Sequence, residues 1–109
     1  MDTTRTFERL VLERDKEHYV LKLYVTGMTA RSTDAIAVVK AVCEELLAGR
    51  YDLEVIDIYR DPNAARDEQI VAVPTLVRAL PLPRRRLVGG LADHDRIAAG
   101  LKLRPREPA

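Results

Sequence analysis

Tryptophan is absent, phenylalanine and cysteine occur once each, and no stretch approaches the length of a membrane span. The single cysteine excludes an intramolecular disulfide and any metal site built from several thiolates. With aromatics at only 5%, the core has to be aliphatic, drawn from Leu, Val, Ile and Ala. A surplus of either charge is missing too: 18 Lys and Arg stand against 17 Asp and Glu. Such a balance supplies no field to gather nucleic acid or an anionic membrane. The run Arg84-Arg85-Arg86 is too short to change this and is expected to form a solvated edge. The charged opening MDTTRTFERLVLERDKEHY is unlike a signal peptide, so the expected location is the cytoplasm.

What remains is an alternation of strand and helix signals sized for one domain. YVLKLYV, residues 19–25, has the β-branched and aromatic character of a buried strand. Beyond the break at Gly27, the residues Ala35, Ile36, Val39, Val42, Cys43, Leu46 and Leu47 form one helical stripe. The predicted helix runs from about Arg31 to Ala48, with Thr29 or Ser32 as cap and Gly49 as stop. A second strand is expected over 53–59, with Val55, Ile56 and Ile58 as core candidates. Asp61-Pro62 then opens a short helix, Asp as N-cap and Pro at N1.

The segment 71–80 is extended but contains Pro74, which has to mark a strand start, an edge or a bend. Residues 84–88 suit a last strand turned by Gly89-Gly90, and Asp93 to about Lys102 a final helix with Ile97, Ala98 and Leu101 inward. The predicted order is β-α-β-α-β-β-α: an α/β, thioredoxin-like domain with a central mixed sheet over residues 19–103. Residues 1–18 form an extension, where Phe7, Leu10 and Val11 fit a helix and Leu10-Val11-Leu12 a strand equally well. Residues 104–109 are expected to be a flexible tail.

In a redox thioredoxin, a Cys-x-x-Cys pair sits at the N-terminus of the first helix, where the helix dipole favours the thiolate. The matching stretch here, Met28-Thr29-Ala30-Arg31-Ser32, contains no sulfur nucleophile, and Cys43 lies about three turns further along the apolar stripe. Thiol–disulfide exchange is therefore excluded. Pro74 occupies the place of the cis proline of this fold, and its spacing favours cis over trans. Thr29 and Ser32 beside it serve either as caps or, in a glutathione-linked activity, as donors to a bound thiolate. His18 and His94 have no companion at metal-ligand spacing, and Asp57, Asp61, Asp67 and Glu68 form no acid–base pair. No catalytic residue, metal site or cofactor is expected.

Four segments together carry a family resemblance: YVLKLYVTGMT, EVIDIYRDPNAA, IVAVPTLVRALPLPRR and LVGGLADHDRIAAGL. Over residues 19–103 the chain resembles KaiB, the small protein of the bacterial Kai clock. The resemblance implies a non-enzymatic partner of KaiC, a hexameric ATPase, whose phosphorylation state or output it modulates. It implies a homo-oligomer, dimer or tetramer, and a metamorphic chain whose C-terminal half has a second, tetrameric fold. The residues it marks for that switch are Pro74, Pro81, Pro83, Gly100 and Lys102, proline isomerisation being a candidate slow component.

The contact candidates are Lys22, Asp34, Glu54, Gln69 and the Pro74 region. Lys22 matches the cyanobacterial pattern, whereas Asp34, Glu54 and Gln69 stand where those members are basic. The acidic tail of those members is replaced by Arg104-Pro105-Arg106, and their Gly-Leu-Asp by Gly100-Leu101-Lys102. A cation there complements the helix dipole by about 0.3–1 kcal/mol, which is expected to favour the thioredoxin-like state. Two other functions stay open. One is a clock-independent stress or signalling adaptor, with a sensor histidine kinase as its candidate partner. The other is the glutathione-linked activity at Ser32 and Pro74.

Overall fold

The computed structural model describes residues 17–27 and 29–104. The expectations for the extension 1–18 up to residue 16, and for the tail beyond 104, lie outside these residues. The chain runs β1 (Tyr19–Val25), α1 (Ala30–Leu47), β2 (Tyr51–Asp57), α2 (Pro62–Asp67), β3 (Thr75–Leu80), β4 (Arg85–Val88) and α3 (His94–Gly100). The four strands form one sheet in the order β2-β1-β3-β4, parallel between β1 and β2 and antiparallel elsewhere. This is the mixed thioredoxin-like arrangement.

Period-two alternation in β1 builds the two layers. Leu21, Leu23 and Val25 face α1 and α3, where they join Val39, Val42, Leu47, Leu76, Ile97 and Leu101 in the main aliphatic core. Tyr24 points to the other face and packs with Ile56 and Val77 beneath α2. Because α2 has only six residues, it covers one end of that face. The remainder, including half-buried Lys22 and exposed Glu54, Leu80 and Arg86, is open to solvent.

β2 begins and ends two residues earlier than predicted. As an edge strand it takes its limits from pairing with β1, Tyr19 opposite Tyr51 through Val25 opposite Asp57. Val55, a predicted core contact, is consequently exposed, while Ile56 is buried. The Asp57 carboxylate ends the strand by accepting the backbone N–H groups of Gly27 (3.2 Å) and Tyr59 (2.9 Å). Gly27 can present its N–H there because its φ of +58° is a conformation that glycine adopts without the cost a side chain adds.

Asp61 caps α2 and Asp93 caps α3, each accepting the N–H three residues on. Val73–Pro74 is cis, as the spacing favoured, and Leu80–Pro81 and Leu82–Pro83 are cis as well. Gly100 marks a close approach of α3 to β4: a Cβ there would lie 3.2 Å from Leu87 Cδ1.

Lys102 corrects the sequence reading. Helix α3 stops at Gly100, and Lys102 follows its cap with φ of +50°. The N–H groups of Lys102 and Leu103 return to the carbonyls of Ala99 and Ala98, the double closure that normally uses glycine. The backbone at this lysine thus carries a conformational cost that opposes the expected dipole benefit. Gln69 closes α2 in the same way, with φ of +57° and paired bonds to Arg66 and Ala65. Lys102→Gly is expected to raise stability by about 1 kcal/mol, read as a higher urea midpoint at unchanged slope.

Among the described residues two arginines, Arg50 and Arg78, are buried, each only 5% exposed. Arg50 lies 5.9 Å over the Tyr19 ring and donates to the carbonyls of Leu46 and Arg104, fastening the chain after α3 to the end of α1. Arg78 reaches from β3 to the carbonyls of Leu101, Lys102 and Pro83. The basic run 84–86 is likewise more than a solvated edge. Arg84 pairs with Glu68, and Arg86 donates to the Glu68 and Gln69 carbonyls, so both hold α2 against β4. Arg85, between them, goes to the opposite face.

His94 bridges α3 to α1: Nε2 lies 2.5 Å from Glu45 and Nδ1 3.3 Å from Asp95. The hydrogen bond to Glu45 raises its pKa above the ordinary 6.5. The bridge's contribution is therefore complete below pH ~6.5 and is lost as pH rises through the folded-state value. An NMR titration of the ring is expected to find a midpoint above 6.5, and Glu45→Gln to move it back.

Candidate functional site

The N-terminus of α1 is where this fold places a reactive thiol, and here it is occupied by two hydroxyls bonded to each other. Thr29 caps the helix by accepting the Ser32 N–H at 3.1 Å and donates to Ser32 Oγ at 2.9 Å. Ser32 is buried and turned back toward the Thr26 carbonyl. Beside it, Arg31, Asp34, Ala35, Pro74, Gly90, Leu91 and Ala92 line a shallow cavity of ≈ 140 Å³. Pro74 and Asp34 share this cavity, whereas Ser32 does not reach it. That separation speaks against the glutathione-linked reading, which needs Ser32 and Pro74 to face one ligand.

The sulfur is elsewhere. Cys43 follows Ala30 by thirteen residues, about 20 Å along the helix, and is fully buried in the main core. Burial pushes its pKa up to about 11, so the thiol stays protonated at neutral pH. Among the described residues, no group of three or more His, Cys, Asp or Glu could hold a metal ion. No described helix is long and apolar enough to cross a membrane.

The contact candidates fall into two neighbourhoods. Asp34 and Pro74 form the rim just described. Lys22 and Glu54 are direct register partners on β1 and β2, and the row continues through Val77 to Arg86. Arg86 in turn holds the Gln69 carbonyl at 3.3 Å. The register thereby places Glu54, Lys22 and Arg86 in one row across the sheet, with buried Val77 between Lys22 and Arg86, while neutral Gln69 lies in the closing turn of α2 at the end of that row. Arg86 is the residue that sequence reasoning missed; its alternation with Arg85 was the available signal. Two exposed apolar side chains flank α2, Tyr59 before its start (76% exposed) and Val71 after its end (93%). Of the switch candidates, Pro81, Pro83 and Lys102 border a second cavity, while Gly100 packs on Leu87.

A KaiB domain matches residues 22–103. The chain belongs to the KaiB family. It is 43% identical over 88 residues to the circadian clock oscillator protein KaiB of Microcystis aeruginosa, covering 81% of this chain and 85% of that one. It is 37% identical over 91 residues to the circadian clock protein KaiB3 of a Synechocystis strain, covering 84% and 89%. In fold, this KaiB-family chain is similar to the N-terminal domain of Synechococcus elongatus SasA, with a TM-score of 0.64 and 24% identity over 76% of this chain and 78% of that one. It also resembles mitochondrial thioredoxin 3 of Saccharomyces cerevisiae, with a TM-score of 0.63 and 13% identity over 91% and 88%. At these identities the solved structures speak for the fold alone.

Proposed function

We propose that this KaiB-family chain is a cytoplasmic regulatory protein that docks on a KaiC-like ATPase and modulates its phosphorylation state or output. It needs no cofactor and catalyses no reaction of its own. One observation carries the reading: a thioredoxin architecture whose reactive position holds a mutually bonded Thr29–Ser32 pair, with the only sulfur of a cysteine deep in the core. A fold without its redox group leaves surface recognition as its use. The proposed contacts are Lys22 and Glu54 on the open sheet face, Gln69 in the closing turn of α2, and Asp34 and Pro74 at the helix rim. Self-association as a dimer or tetramer belongs to the same proposal, with Pro74, Pro81, Pro83, Gly100 and Lys102 as the residues that govern a change of fold.

The acidic or neutral side chains at Asp34, Glu54 and Gln69 favour one second reading, an adaptor outside the clock that contacts a sensor kinase. A pull-down with the KaiC-like protein of the same organism, with and without nucleotide, separates the two. Retention of the ATPase supports docking. Retention of a sensor kinase and never of the ATPase overturns it.

A further inference from the structure

The second cavity, ≈ 210 Å³, lies between the β3–β4 connection and the last turn of α3. A water's share of the liquid is about 30 Å³, so the hollow has room for a polyatomic ion. Its wall brings together four cations, Arg78, Arg85, Lys102 and Arg104, with a single carboxylate, Glu17. Arg78 and Arg85 are direct cross-strand partners, and like charges in that relation repel.

Arg78 is only 5% exposed, and everything it donates to is a neutral carbonyl. None of the ion pairs among the described residues includes it or Arg85. Among the described residues, the Nε–H groups of both arginines are buried without a hydrogen-bond partner. Burial and the neighbouring Arg85 and Arg104 charges all disfavour the charged form of Arg78. An anion set against the two free Nε–H groups would satisfy them and offset the clustered positive charge, which nothing at Arg78 and Arg85 otherwise does. Carbonyl dipoles at a helix C-terminus orient the fork but do not neutralise it.

We propose that this cavity is an oxyanion site that takes a phosphoryl group, with Arg78 and Arg85 as the positioning forks and Lys102 and Arg104 completing the charge. Four cations against one carboxylate leave an excess of positive charge sufficient for a group carrying up to two negative charges and three acceptor oxygens, and arginine forks suit its geometry. The phosphoryl group is either free phosphate or the end of a small phosphorylated molecule. The site is separate from the Pro74 rim and from the charged row, and does not depend on the proposed ATPase partner.

The test is titration of the full chain with inorganic phosphate at constant ionic strength, following the arginine Nε–H resonances by NMR. The Arg78 and Arg85 signals are expected to shift together and saturate, while those of Arg31 and Arg60 stay in place. Arg85→Gln is expected to raise the midpoint about tenfold, equivalent to ~1.4 kcal/mol. Lys102→Gly should also raise it although that variant is the more stable fold, so weaker binding there cannot be ascribed to unfolding. A nucleoside monophosphate binding more tightly than phosphate points to a carried phosphoryl group, and an equal or weaker midpoint to the free anion. Absence of a saturable shift at either Nε, or equal shifts at Arg31 and Arg60, overturns the proposal.

Discussion

Ile97→Ala is expected to destabilise the fold by about 3 kcal/mol, from the usual cost of truncating a buried isoleucine. Helix α3 has only seven residues, too few to persist on propensity alone. Ile97 is its one fully buried residue before the cap, and with Leu101 it anchors α3 to the core shared with β1 and α1. The effect is large because domains of this size carry only about 5–15 kcal/mol in total. The midpoint of thermal unfolding should fall by roughly 10 °C or more. Amide exchange should speed first in α3 and in the 101–104 segment that Arg50 and Arg78 fasten, while β1 and α1 keep their protection. A loss below about 1 kcal/mol would mean that α3 is not held by this contact.

Charge reversal at one position on the sheet face and one at the helix rim carries the second large effect, on binding. Glu54→Lys together with Asp34→Lys is expected to weaken binding to the chain's own KaiC-like partner at least tenfold, about 1.4 kcal/mol or more. The same pair of changes should strengthen binding to a cyanobacterial KaiC, because it restores the basic character the family resemblance assigns to those positions. Opposite signs for two partners cannot arise from damage to the fold. Both residues are exposed, and neither closes a turn or fills the core. Glu54→Lys does place two cations in register, because Lys22 is the residue opposite on β1. That costs roughly a few tenths of a kcal/mol. Calorimetric titration at two salt concentrations checks the prediction: the difference between wild type and variant should shrink as salt screens the exposed charges.

Much of the fold was legible because its signals are local. YVLKLYV has the residue types of a buried strand and forms β1 over those seven residues. Asp61-Pro62 starts α2, and the i, i+3, i+4 stripe from Ala35 to Leu47 is the buried face of α1. What failed depends on partners distant in sequence. The limits of β2 follow from its register with β1, so Ile58 and Tyr59 drop out of the strand despite their β propensity. Arg78 looks like any strand arginine until the register sets it beneath the end of α3. Lys102 gives no warning of its left-handed backbone, because the nearest glycine, Gly100, is used for packing on Leu87. For the candidate site, the missing thiolate was legible from residues 28–32, but the row joining Glu54, Lys22 and Arg86 required the sheet order.

The central claim is that a thioredoxin-like surface, emptied of sulfur chemistry, serves to recognise a KaiC-like ATPase. Amide hydrogen exchange of the chain alone and in the presence of that ATPase with nucleotide tests it most directly. Protection is predicted around Lys22 and Glu54 on the open sheet face, around Gln69 at the end of α2, and around Asp34 and Pro74 at the helix rim. Unchanged exchange at all of these positions, with the ATPase present in excess, would contradict it.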